Sequence, residues 1–287
     1  MLDGGSMDSP ETVRFPVFGD LHLGFDEESW EKAAGALEDA ISLGPDLLAF
    51  MGDVVDLDPQ HWRLFGQLQE INPGLPFRVT RGNADFLAGG DEAWLRQVGH
   101  PIRSVLDVGR VRLLTVGAQS EDHELPLGEG FGEWLAQAAA ARPEATVVVL
   151  CHAPLKDTTF WSCDNTESGC LAELLAPDNP PYHLYLAQSD EMLQAVERSP
   201  NIRLFLTGHV HNDHRMVCDH GYPPIIERDG VVHMVTANLG GWRDIGVDRQ
   251  EYRWIDIDHT RIRARVRNFV GATWVPELEE TFPLRAS

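Results

Sequence analysis

Residues 15–22 read FPVFGDLH: a short, mostly apolar run stops at Gly19, and a carboxylate and an imidazole follow at Asp20 and His22. An apolar run punctuated by glycine reads as a buried strand leaving its sheet. Asp20 and His22 then project at the sheet's carboxyl edge, where open α/β sheets bind ligands. The same grammar recurs: LLAF leads to Gly52-Asp53, FRVT to Gly82-Asn83, VVVL to His152, and LFLT to Gly208-His209-Val210-His211. The strand ends thus carry Asp20, His22, Asp53, Asn83, His152, His209 and His211 toward one edge, and a convergence of carboxylates, imidazoles and an amide describes a metal site.

The intervening segments supply the architecture. Trp30, Ala33, Ala34, Leu37, Ala40 and Ile41 fall at helical spacing before the stop at Gly44-Pro45, so residues 27–43 are predicted as a helix. Residues 47–50 and 77–80 read as strands, with a helix from Asp58-Pro59 to about Ile71 between them. Strand, helix, strand, helix, strand implies a parallel sheet with right-handed crossovers. Residues 102–119 read as a hairpin turning at Val108-Gly109-Arg110. Helices over 131–141 and 190–198 then alternate with strands over 146–150 and 202–207, repeating the βα pattern. Residues 231–236, 252–258 and 261–269 alternate or run β-branched and read as antiparallel strands.

Two packed mixed sheets with helices outside are therefore expected, as one domain over 13–287 behind a flexible leader at 1–12. The stretch 153–188 is too long for a simple connection. It reads as a cap over the metal edge, in which Trp161, Asn165, His183 and Tyr185 either touch substrate or pack the insertion.

Composition narrows the partners. A formal charge of -22 over 287 residues gives a surface that repels polyanions, arguing against non-specific nucleic-acid or anionic-membrane binding. There is no charged n-region followed by an apolar h-region, and no run nears the ~20 apolar residues of a bilayer span, so a cytoplasmic location is expected. Cys151, Cys163, Cys170 and Cys218 fit neither a zinc ribbon nor a disulfide framework and are expected as reduced, structural residues.

The seven donors exceed what one tetrahedral zinc takes, and two octahedral-like ions sharing the Asp53 carboxylate would use them all. Two divalent ions bring four positive charges, of which Asp20, Asp53 and one hydroxide cancel three. The pocket stays positive in an acidic protein and attracts phosphate.

D-x-H at Asp20, G-D-x-x-D at Gly52 to Asp56, G-N-x-D at Gly82 to Asp85, a strand-ending His152 and G-H-x-H at Gly208 to His211 together resemble the calcineurin-like metallophosphoesterase superfamily. The resemblance implies a four-layer αββα sandwich, two divalent ions (Mn, Fe or Zn), and hydrolysis of phosphate mono- or diesters, small molecules or nucleotides, by a metal-bridging hydroxide. It also implies that Asp20, His22 and His211 hold one ion, Asn83, His152 and His209 the other, and that Asp53 bridges them.

One departure stands out. Many family members carry a His after the motif Asn, paired with the second Asp of G-D-x-x-D, where this chain has Ala84 beside a retained Asp56. A positioned acid contributes roughly 10²–10⁴ in rate. His214 and His123 are candidates to replace it. Asp56 and Asp85 read either as catalytic carboxylates or as caps of following helices. Arg81 reads either as a phosphate contact or as a surface residue. The missing His leaves room for a second reading, a catalytically idle scaffold of the same fold. If a leaving-group acid is what is missing, Ala84→His should change hydrolysis of an alkyl phosphate ester more than that of a p-nitrophenyl ester, and equal effects would count against it.

Overall fold

The FPVF run forms the middle strand of a sheet in the computed structural model, which describes residues 12–120, 125–159, 185–211, 214–215, 223–239 and 250–284. Along the chain come β1 (Val13–Phe18), α1 (Glu27–Ser42), β2 (Leu48–Phe50), α2 (Trp62–Gln69), β3 (Phe77–Val79), α3 (Asn83–Leu87), α4 (Gly90–Val98), β4 (Ser104–Val108) and β5 (Val111–Val116). Then follow α5 (Phe131–Ala140), β6 (Thr146–Cys151), α6 (Ser189–Glu197), β7 (Ile202–Thr207), β8 (Ile225–Arg228), β9 (Val231–Val235), β10 (Glu251–Ile257), β11 (Arg261–Asn268), β12 (Thr273–Trp274) and β13 (Glu280–Pro283).

The first sheet runs β12-β11-β10-β1-β2-β3, with β13 also on β11; the second runs β4-β5-β6-β7-β9-β8. β1, β2 and β3 are parallel, as the βαβ spacing requires, and β10 closes on β1 antiparallel with Val17 opposite Arg253. Residues 231–236 depart from expectation: β9 lies parallel to β7 and antiparallel only to β8. Alternation reports which face of a strand is buried and carries no direction. The long connection from β7 provides the crossover a parallel pair needs.

Side-chain alternation divides the interior into three apolar layers. Val13, Phe15 and Val17 of β1 meet Val148 and Leu150 of β6 and Leu204 and Leu206 of β7 between the sheets. Phe18 and Phe50 face outward onto α1, α2 and α4, where Leu37, Phe65 and Trp94 are buried. Val147, Val149 and Phe205 face Phe131, Leu135 and Met192 of α5 and α6. Helix, sheet, sheet, helix is the four-layer αββα sandwich. The VVVL run is apolar throughout because β6 is covered on both faces, and each such Leu or Phe contributes about 1.5–3 kcal/mol on burial.

Local chemistry starts α1 where the periodicity begins. Asp26 accepts from the N–H groups of Glu28 and Ser29 at 3.1 and 2.7 Å, capping a first turn that is also acidic. The flanks of the expected cap are tied together, Leu186 N–H donating to Pro154 O at 2.8 Å. Residues 160–184, with Trp161, Asn165 and His183, lie outside the described residues, as do Cys163, Cys170 and Cys218; Cys151 is a buried free thiol. Among the described residues no helix is long and apolar enough to cross a membrane.

Candidate metal centre

The donors sit at the carboxyl ends of the strands, and the loops of neighbouring strands are stitched together. His22 N–H donates to Asp53 O at 2.9 Å, Met51 N–H to Phe18 O at 2.8 Å, and Gly208 N–H to His152 O at 2.8 Å. The turns are sharp enough that Asp20, His22, Asp53, His209 and His211 adopt left-handed backbone, with φ of 43°, 42°, 45°, 71° and 41°. Each such residue costs on the order of 1–3 kcal/mol and persists only where the surroundings fix it, which is typical of functional sites. Two motif glycines are required by close approach. A Cβ on Gly82 would collide with the Asp53 carboxylate, and one on Gly208 would stand 2.6 Å from Asp20 Oδ2.

The donor atoms gather in two groups that share one residue. Asp20, His22, Asp53 and His211 bring ligand atoms within 4.8 Å of one another, and so do Asp53, His152 and His209. Asp53 Oδ2 lies 3.4 Å from His152 Nε2 and 3.8 Å from His22 Nε2, while Ala84 N–H holds Oδ1 at 2.9 Å. His22 Nε2 and His211 Nε2 are 3.0 Å apart, and His211 Nε2 is 3.7 Å from Asp20 Oδ1. Asn83 Oδ1 is buried and has no hydrogen-bond partner among the described residues.

The surroundings orient the rings. His152 Nδ1–H donates to the Met51 carbonyl at 2.6 Å, which turns its Nε2 lone pair toward Asp53. Asp56 Oδ1 stands 3.6 Å from His22 Nδ1 and does the same for that ring. Asp20 accepts from the His209 N–H at 2.9 Å. Four imidazoles, two carboxylates and a partnerless amide oxygen, oriented in this way, fit a pair of divalent ions.

Burial dominates the proton affinities. It lifts the Asp20 carboxyl to about 7, His152 opposing and Asp53 adding to the rise. Burial would raise Asp53 as well, but the neighbouring His152 outweighs it and holds that carboxyl below the usual range. Against the same desolvation, Asp53 and Asp20 raise His152 to about 9, while burial and His22 lower His211 to about 3.

A pH dependence follows. Burial raises Asp20 and Asp85 each to about 7, and against burial its carboxylate neighbours raise His152 to about 9. Below about pH 6.5 the lowered His100, His211, His214 and His233 offset these protons, so the folded metal-free chain binds more protons than the unfolded chain from roughly pH 6.5 to 9. Its stability should therefore fall as pH rises through that window, while metal affinity rises because ions displace those protons. Thermal midpoints measured with EDTA and with Mn²⁺ should diverge between pH 6.5 and 9; a constant gap would contradict the shifts.

Three residues read as site candidates have other tasks. Asp85 is fully buried and spends both oxygens on backbone: Oδ1 accepts from Val54 and Val55 N–H at 2.9 and 3.1 Å, and Oδ2 from Gly82 N–H at 3.0 Å. Through Oδ2 it caps the start of α3 at Gly82, so the capping reading holds, and through Oδ1 it braces the loop after β2. Arg81 is neither a phosphate contact nor a surface residue, being buried with Nε donating to Ala118 O at 2.7 Å and its guanidinium over Phe86 and Trp94. His214 accepts at Nδ1 from Arg253 at 2.9 Å. Burial, Arg253 and Arg215 push its pKa far down, so it is no imidazolium donor near neutral pH.

Asp56 caps no helix; the cap of the following turn is Asp58. His123 lies outside the described residues, and Tyr185 sits under the Lys156 ammonium at 5.5 Å. No side-chain pattern signals the Met51 carbonyl or the Ala84 amide, since backbone groups have no residue signature.

The fold recurs in solved structures. A dimetal phosphatase from Danio rerio aligns with a TM-score of 0.67 at 11% identity, covering 95% of this chain and 99% of that one. A purple acid phosphatase from yellow lupin, Lupinus luteus, aligns at 0.65 and 14%, covering 95% of this chain and 53% of that one, so this chain spans about half the lupin enzyme's length. GAP50, the anchor in the inner membrane complex of Plasmodium, aligns at 0.60 and 12%, with coverage of 96% and 90%. These likenesses concern the fold. No curated protein matches the sequence. The family model for calcineurin-like phosphoesterases matches residues 13–213, a span that holds the donors from Asp20 to His211. With well over half of its length matched, the chain belongs to the calcineurin-like phosphoesterase family.

Proposed function

We propose that the protein is a two-metal phosphohydrolase cleaving phosphate mono- or diesters. Asp20, His22 and His211 would hold one ion, Asn83, His152 and His209 the other, and Asp53 would be shared by both. The observation that carries this reading is the single buried carboxylate common to both donor groups. Bound Mn, Fe or Zn would supply Lewis-acid charge for the phosphoryl oxygens and lower the pKa of water.

The chain's part is positioning. Ala84 N–H fixes one oxygen of Asp53, the Met51 carbonyl fixes His152, and the Asp56 carboxylate orients His22. Supporting contacts of this kind are typically worth 10–100-fold in metal affinity or activity. A charge of -22 favours small phosphate esters or nucleotides over nucleic-acid polymers.

A second reading, a catalytically idle scaffold, draws on Ala84 in the place of the family's His. One fold neighbour is itself named as an anchor. Metal analysis of the purified protein, with hydrolysis of bis-p-nitrophenyl phosphate in Mn²⁺, separates the two. Two ions and turnover are expected. Two ions without turnover on any phosphate ester would favour the scaffold, and no metal uptake would contradict the site itself.

A further inference from the structure

Cleaving an alkyl phosphate ester sends an electron pair to an oxygen that is a poor leaving group, so a proton must arrive as the bond breaks. Among the described residues, Ala84 and the groups read in its place do not supply one. Ala84 carries only a methyl, Asp85 is committed to three backbone amides, and His214 is held neutral beside Arg253.

His61, which belongs to none of the family motifs, is placed differently. It ends the short 3-10 turn Pro59–His61, whose start is capped by Asp58. Its ring rests on the α-carbon of Gly24, two residues beyond His22, so closely that a Cβ there would overlap the ring atoms. Its Nδ1–H donates to the Asp56 carbonyl at 2.7 Å, and the carboxylate of the same Asp56 lies 3.6 Å from His22 Nδ1. The two ends of one residue therefore lie against a ligand-cluster histidine and a second, half-buried histidine. A carbonyl only accepts, so Nδ1 keeps its proton in both forms of the ring, and the imidazolium form carries and gives up its second proton at Nε2.

Building on the phosphohydrolase reading, we propose that His61 protonates the leaving oxygen and so sets which esters are turned over. The P–O bond to the leaving group breaks and its electron pair stays on that oxygen, which takes the proton from His61 Nε2. The oxygen of water forms the new P–O bond, the proton it loses passes to solvent, and Nε2 is reprotonated from solvent.

His61→Asn tests this, because the Asn amide can still donate to the Asp56 carbonyl but has no proton to transfer. Metal content should match the unmodified protein. Turnover of an alkyl phosphate ester should fall about 10²-fold, the lower end for a lost acid, and that of a p-nitrophenyl ester, whose leaving group needs no proton, less than tenfold. In the unmodified metal-loaded protein, ¹⁵N NMR of the imidazole should show the neutral ring as the Nδ1–H tautomer, with the Nε2 signal moving when inorganic phosphate is added. That reading does not depend on the variant folding.

Equal losses on both esters, no loss on either, or an Nε2 signal indifferent to phosphate would overturn the role of His61. An unmodified protein that hydrolyses p-nitrophenyl esters but no alkyl ester would also overturn it while leaving the phosphohydrolase reading standing. One that hydrolyses neither would remove both.

Discussion

Replacing Asp53 by asparagine is expected to cost the protein both metal ions rather than one, and ester hydrolysis with them. Asparagine preserves the shape and can still accept the Ala84 N–H, but it then puts a neutral NH₂ group in place of Oδ2, the one oxygen that lies 3.8 Å from His22 Nε2 and 3.4 Å from His152 Nε2. Breaking a buried charge pairing costs about 3–5 kcal/mol, which at 1.4 kcal/mol per tenfold is roughly 10²–10³-fold or more in affinity. His209 belongs to only one donor group, so His209→Ala should release one ion and retain the other. Metal content after gel filtration and titration calorimetry distinguish the two patterns. An Asp53→Asn protein that keeps either ion at the unmodified affinity would contradict the shared role.

Asp85→Ala should be the most destabilising change near the site. It strands the N–H groups of Val54, Val55 and Gly82 in the interior. Each unsatisfied buried amide costs about 1–3 kcal/mol; the three are not additive, so a loss of roughly 3 kcal/mol or more is expected. For a chain of this size that lowers the thermal midpoint by about 6–12 °C. Asp85→Asn should also lose stability, because one oxygen remains but the new NH₂ group meets an amide donor. If Asp85 were instead a catalytic group, the Asn variant would keep its midpoint and lose only turnover, and the bracing role would be wrong.

Much of the architecture was legible because burial leaves a local trace. FPVF, LLAF, VVVL and LFLT are strands that touch core on both faces, and each ends in a turn that presents a donor, marked by a glycine in all but VVVL, which runs through Cys151 to His152. The donors could be located in the sequence because a turn at a strand end fixes a residue's place in a parallel sheet before any contact is known. What was hidden depends on neighbours distant in sequence.

Arg81, read as a phosphate contact or a surface residue, is instead enclosed by α3 and α4 with Phe86 and Trp94. The neutrality of His214 is imposed by burial and by Arg253, which arrives on β10 from 39 residues away. Asp85 caps α3 as one of its two readings held, but nothing in G-N-x-D shows that two backbone amides from the β2 loop would also turn toward it. The direction of β9 was misjudged for a related reason, since it is set by the path of the connection and not by the strand's own residues.

Anomalous diffraction from manganese-loaded crystals tests the central claim most directly. Two peaks about 3.5–4 Å apart are expected, one among Asp20, His22 and His211, the other among Asn83, His152 and His209, each in contact with an oxygen of Asp53. A single peak, or two peaks of which only one touches Asp53, would contradict it.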